Sequence, residues 1–138
     1  MSYLLDTNVV SEARKPDADA NVREWLTSVT GPELYLSVMV IGEIRQGIER
    51  LRAGDSQRAA EYERWLGTLR RDYADRIVSV TEQIAEEWGR LNAARPLPMV
   101  DGLLAASARV LGLTLVTRNE RDFRGLSVIV LNPFNGQG

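Results

Sequence analysis

Short apolar runs alternate along the chain with stretches in which apolar residues recur every three or four positions. The runs "YLL" (3–5), "LYLS" (34–37), "IVSV" (77–80), "LTLVT" (113–117) and "VIVL" (128–131) read as strands. Between them, Val22, Trp25, Leu26 and Val29 mark one helical face, and Ile41, Ile44, Ile48 and Leu51 a second. Tyr62, Trp65, Leu66, Leu69 and Tyr73 define a third, Ile84, Trp88 and Leu91 a fourth, and Leu104, Ala108 and Leu111 a fifth. This alternation predicts an α/β fold with a central, mostly parallel β-sheet flanked by helices. "RAGDSQ" (52–57) predicts the turn of a long, protruding helical hairpin, and "ARPLPM" (94–99) breaks one helix and sets up the next.

Composition narrows the function more than the fold. With 138 residues, 44% of them hydrophobic and 26% charged, residues 1–138 are expected to form a single domain with a real core. Only the closing "NGQG" (135–138) suggests disorder. No apolar run approaches a bilayer span and no basic-then-apolar leader opens the chain, so the protein is expected to be soluble and cytoplasmic. The chain has no cysteine, which removes disulfides and thiolate zinc sites. It also has no histidine, the usual general base near neutral pH, and its one lysine is Lys15. Hydrolytic chemistry here must run on carboxylates, tyrosine or water activated by a metal. The remaining cations are all arginine, whose planar fork suits phosphate and carboxylate.

In open α/β sheets ligands collect beyond the carboxyl ends of the strands. Asp6 ends the first strand, and "TRNERD" (117–122), with Asp122, follows a later one. Glu43 lies on the helix after the second strand, and Asp101 begins a helix after "PMV". Each has a plain structural reading. Asp6 can equally cap a helix beginning at Val9, capping is the stronger reading of Asp101 taken alone, and Asp122 can sit in a surface turn. Glu43 is harder to explain, because its surroundings in "SVMVIGEI" are apolar or small and a carboxylate near a packed interior is costly unless compensated. Gly42 and Gly47 weaken the same helix, which predicts a close approach to its backbone.

Four acids drawn to one edge with no cation among them would repel one another in a partly desolvated cleft. A divalent cation resolves the conflict, and hard oxygen ligands favour Mg²⁺ or Mn²⁺ over zinc. Setting those four charges aside turns the formal net charge from −2 into +2, a slightly basic rim suited to a phosphodiester.

The ordered set "LLDTNVVSEARKP", "SVMVIGEIRQGI", "MVDGLLAASARVLGLTLVTRNERDF" and "VIVLNPF" resembles the PIN-domain proteins. More narrowly it resembles the VapC toxins of VapBC-type pairs, in their FitB-like branch, over nearly the whole chain. The resemblance implies a PIN fold and a metal-dependent endoribonuclease, the toxin of a type II toxin–antitoxin system. Its catalytic and metal-holding acids correspond to Asp6, Glu43, Asp101 and Asp122, supported by Asn8, Thr117 and Asn119. Thr7 and Asn8 would orient Asp6 and cap the next helix. Some relatives carry aspartate where this chain has Asn119, which bears on a second metal ion.

The resemblance further implies Mg²⁺- or Mn²⁺-assisted hydrolysis leaving a 5′-phosphate and a 3′-hydroxyl. It implies a homodimer and a VapB-like antitoxin laid across a groove near the acids, with DNA engaged only through that antitoxin. Arg14, Arg118 and Arg121 are the nearest basic residues in sequence for the RNA backbone. Trp65, Leu66 and Leu69 either pack inside or form the antitoxin groove or dimer seam. A haloacid-dehalogenase-type phosphatase also starts from an aspartate after its first strand, but it needs a second aspartate at the position of Asn8 and a later lysine that this chain lacks. The other alternative is a non-catalytic PIN-fold binding module acting in a DNA-bound regulatory complex.

Overall fold

The computed structural model describes residues 1–136. Five parallel strands form one sheet: β1 (Tyr3–Leu5), β2 (Leu34–Ser37), β3 (Ile77–Val78), β4 (Thr114–Val116) and β5 (Val130–Leu131), in the order β3-β2-β1-β4-β5. Leu4, Leu5, Leu115 and Val116 are all buried. Since consecutive residues on a strand face opposite sides, both faces of the sheet centre are covered, as parallel sheets require. The edge strands are shorter than "IVSV" and "VIVL" suggested, because each has a ladder partner on one side only; Ile129 beside β5 is 70% exposed.

Six helices complete the fold: α1 (Thr7–Arg14), α2 (Ala20–Ser28), α3 (Val38–Arg52), α4 (Ser56–Asp72), α5 (Glu82–Ala94) and α6 (Met99–Leu111). Helix α1 begins at Thr7 rather than Val9, since the Asp6 carboxylate caps it by accepting from the Thr7 N–H. The predicted hairpin is α3, a turn at Ala53–Asp55, and α4. Its tip is exposed, while Ile44, Ile48, Ala59, Leu66 and Leu69 on its inner faces join the core. Leu66 and Leu69 are therefore core residues, and Trp65 stays half-buried. Gln137 and Gly138 of the closing "NGQG" lie outside the described residues, whereas Asn135 hydrogen-bonds Asn132 and Glu120.

Helix α6 is buried along most of its length and meets α5 at Gly102. A Cβ there would come within 2.9 Å of the Trp88 ring, so only glycine lets the indole lie against the first turn of α6. Among the described residues no helix is long and apolar enough to cross a membrane.

Candidate functional site

The chain runs outward from β1 through β2 to β3, then returns past β1 to β4. That reversal makes the carboxyl ends of β1 and β4 a topological switch point, the place where open α/β sheets leave a crevice. The register pairs Leu5 with Val116, so the next residues, Asp6 and Thr117, emerge side by side despite 111 positions of separation. Both remain tied to the ladder: the Asp6 N–H donates to the Val116 carbonyl at 2.9 Å and the Thr117 N–H to the Leu131 carbonyl at 3.0 Å.

Asp6 is buried and its orientation is fixed on both oxygens. Oδ1 accepts from the Thr7 N–H at 2.7 Å; Oδ2 accepts from the Thr117 hydroxyl at 2.7 Å and the Asn8 amide at 3.3 Å. The capping reading of Asp6 holds, and the residue stands at the carboxyl end of β1 beside Thr117. A carboxylate offers roughly four acceptor positions. Three are taken by these donors, leaving one on Oδ1 open to a cation. Burial pushes the Asp6 carboxyl above its ordinary value, and the hydrogen bonds from Thr117, Thr7 and Asn8 offset this only in part.

The supporting residues close a small network around it. The Thr117 hydroxyl accepts from the Asn119 N–H at 3.1 Å, and Asn8 Oδ1 accepts from the Arg118 N–H at 3.2 Å. Thr7 does more than expected: its N–H orients Asp6, and its hydroxyl donates to Glu43 on α3. Sitting in the first turn of α1, its side chain points across to the neighbouring helix. That contact explains how the half-buried Glu43 is held.

Asp101 lies in the first turn of α6, and its carboxyl is pushed up to about 6. Burial is the main cause, followed by the negative charges of Asp6, Asp122 and Glu43. The fold thus brings Asp6, Glu43 and Asp122 each within electrostatic reach of Asp101. None of them forms an ion pair among the described residues. Nor do three acidic side chains there gather into a ready-made metal cage. Mg²⁺ typically takes one or two carboxylates directly and completes its shell with water, so this spacing, the hard oxygen donors and the uncompensated repulsion fit such an ion.

Asp122 is exposed on a 3-10 turn, Glu120–Phe123, anchored by the buried Phe123. Arg95 holds this turn from outside by donating both Nη groups to the carbonyls of Asp122 and Arg124. Sequence reasoning missed Arg95. Its only signal was an arginine placed just after a helix, in "ARPLPM".

Of the predicted RNA-facing arginines, Arg121 shares a polar hollow with Asn119 and Asp122, and Arg118 lines it while resting 4.6 Å from the Phe134 ring centroid. Arg14 lies elsewhere. It stacks 4.2 Å over Tyr62 and donates to the Tyr62 hydroxyl at 2.6 Å, at the far end of α1 from Asp6. The expectation of a close approach at Gly42 and Gly47 is also corrected, since nothing lies within 4 Å of a Cβ at either position. Both border open space instead. Gly47 lines a groove of about 310 Å³ together with Thr7, Ser11, Glu43, Tyr62 and Trp65.

Residues 3–128 match the PIN domain. The chain belongs to the PIN-domain family. Among its relatives, Toxin FitB of Neisseria gonorrhoeae is 31% identical, with 96% of this chain and 98% of that protein covered. The VapC ribonuclease Y4jK of Sinorhizobium fredii is 28% identical over 95% of this chain and 96% of its own length. Among solved structures, FitAB bound to a DNA fragment superposes with a TM-score of 0.86 at 29% identity, covering 99% of this chain and 98% of that one. This PIN fold therefore carries its acids on the same overall frame as FitB and VapC toxins.

Proposed function

We propose that this PIN-domain protein, one domain over residues 1–138, is a cytoplasmic toxin that hydrolyses RNA with the help of Mg²⁺ or Mn²⁺. The observation that carries the reading is that Asp6, Glu43 and Asp122 each act on Asp101 near the switch point, and that none of the four forms an ion pair among the described residues. These four would hold the metal, and Asn8, Thr117 and Asn119 would keep the site in register. Bound there, the ion supplies Lewis acidity toward water and the phosphate. Asp6 presents its free Oδ1 position in one fixed direction, set by Thr7, Asn8 and Thr117. Glu43 is restrained by the Thr7 hydroxyl, and Asp101 must release its proton to act as a ligand. Arg121, exposed beside Asp122, offers charge to the phosphate. Water adds to phosphorus as the P–O3′ bond breaks, leaving a 5′-phosphate and a 3′-hydroxyl.

Restraint of such a nuclease falls to a VapB-like antitoxin. The groove beside Glu43 has an acidic end, an apolar floor of Ile44, Ile48 and Trp65, and Arg58 at its rim, which suits an amphipathic segment. DNA contact would come through that partner, and the toxin would act as a homodimer. Hydrogen exchange over residues 57–73 is expected to slow when the antitoxin binds; unchanged protection removes the groove assignment.

The decisive experiment incubates the purified, partner-free protein with total RNA in Mg²⁺ or Mn²⁺, beside chelator and Asp101→Asn controls. Cleavage is expected to require the metal and to vanish in the variant. A 2′,3′-cyclic phosphate product would reject the water-attack scheme, because it marks attack by the RNA's own 2′-hydroxyl. The likeness to FitAB bound to a DNA fragment favours one other reading, a non-catalytic binding module in a DNA-bound complex. Metal bound without cleavage of any RNA would select it.

A further inference from the structure

Residues of α5, α6 and the loop after the Asp122 turn line a pocket of about 410 Å³. Four arginines line it, Arg90, Arg95, Arg109 and Arg124, against a single carboxylate, Glu87. In a chain of net charge −2, that is a concentrated positive patch.

Two of the four have structural work. Arg95 holds the carbonyls of Asp122 and Arg124, while Arg109 donates to the Leu126 carbonyl at 2.9 Å and pairs with Glu87 at 2.8 Å. The other two are not accounted for in this way. Arg90 shares the already-paired Glu87 at 3.3 Å with its side chain 66% exposed, and the exposed Arg124 makes no side-chain hydrogen bond or ion pair among the described residues. Arg95 and Arg109 therefore set the walls and Arg90 and Arg124 leave donors facing solvent.

The pocket adjoins the acidic site through one short turn. Arg124 follows Asp122 by two residues, and the hollow that Asp122 lines with Glu120 also holds Arg118 and Arg121. Guanidinium groups of Arg118, Arg121 and Arg124 thus accompany the Asp122 turn, a pattern suited to tracking a phosphate backbone past it. Guanidinium is also the side chain best matched to phosphate, by bidentate hydrogen bonding.

We propose that this pocket is an exosite for single-stranded RNA, in which Arg90 and Arg124 bind backbone phosphates of the segment running past the Asp122 turn. The assignment rests on the ribonuclease reading for its biological ligand, but phosphate binding there does not depend on catalysis.

The test is fluorescence anisotropy of a labelled oligouridylate of about twelve nucleotides, in chelator, with salt varied from about 50 to 200 mM. Wild type is compared with Arg90→Gln/Arg124→Gln and with Arg64→Gln/Arg70→Gln, a control pair exposed on α4. Circular dichroism melts establish that all three are folded. The exosite pair is expected to weaken binding about tenfold and to lower the slope of log K against log salt by about 1.4, from about 0.7 per lost phosphate contact. The control pair is expected to stay within about twofold of wild type. Three results would overturn the exosite: no binding by wild type, unchanged affinity and slope in the exosite variant, or an equal loss in the control. The metal-dependent cleavage of total RNA is read separately, so either proposal can fail while the other stands.

Discussion

A single aspartate shows how burial and charge set the behaviour of this site. Asp101 is protonated more readily in the fold than in an unfolded chain, because burial and its acidic neighbours raise it from 3.8 to about 6. The native state therefore binds more protons than the unfolded state between those values, and stability falls as pH rises through that window. Thermal melts of chelator-treated protein are expected to show this decline, and Asp101→Asn to reduce it and to raise the melting temperature at pH 7.5 but not at pH 4. Thr117 acts one step further out, since its buried hydroxyl fixes Asp6. Thr117→Val keeps the shape and removes the bond, and titration calorimetry is expected to show Mn²⁺ affinity lowered about 10- to 100-fold. A variant that binds Mn²⁺ like wild type would remove Thr117 from its supporting role.

Helix packing decides which glycines matter. Gly102 faces the Trp88 indole at a distance no Cβ tolerates, and the buried Trp88 N–H finds no partner among the described residues, so that interface is already under constraint. Gly102→Ala is expected to cost about 1–3 kcal/mol in urea unfolding by overpacking. Gly47→Ala is expected to do the opposite, gaining up to about 1 kcal/mol on a helix face with open space. The same methyl intrudes on the groove wall and should weaken antitoxin capture. Periodicity alone treats these glycines alike, because it locates helices without saying what lies over each face. For the same reason "VMVIGEI" reveals a costly carboxylate at Glu43, while its partner, the Thr7 hydroxyl, comes only from the crossing of α1 and α3.

For the whole molecule, four like charges at one sheet edge mean that a bound cation and the native fold reinforce each other. Saturating Mn²⁺ is expected to stabilise the protein by about 2.7 kcal/mol at a hundred times its dissociation constant, reversibly with chelator. A thermal shift of that sense in wild type, much reduced in an Asp6→Asn variant, would link metal and site; no shift would argue against a divalent ion. The sheet order supplies the physical basis, since only the return from β3 to β4 places the ends of β1 and β4 together.

The strands and the five marked helical faces were legible in the sequence, because apolar runs and three-to-four-residue periodicity leave local signatures, and Glu43 stood out as a costly carboxylate. Asp6 could be placed at a strand end from the pattern, whereas Asn8, Thr117 and Asn119 were named through the PIN-domain resemblance. Only tertiary structure decided that Thr7 serves Glu43, that Arg14 stacks on Tyr62, and that Arg95 pins the Asp122 turn. Those contacts depend on side-chain direction across packed elements, which a one-dimensional pattern does not encode. Local chemistry thus marked the residues, and the parallel register and helix crossings determined what each one touches.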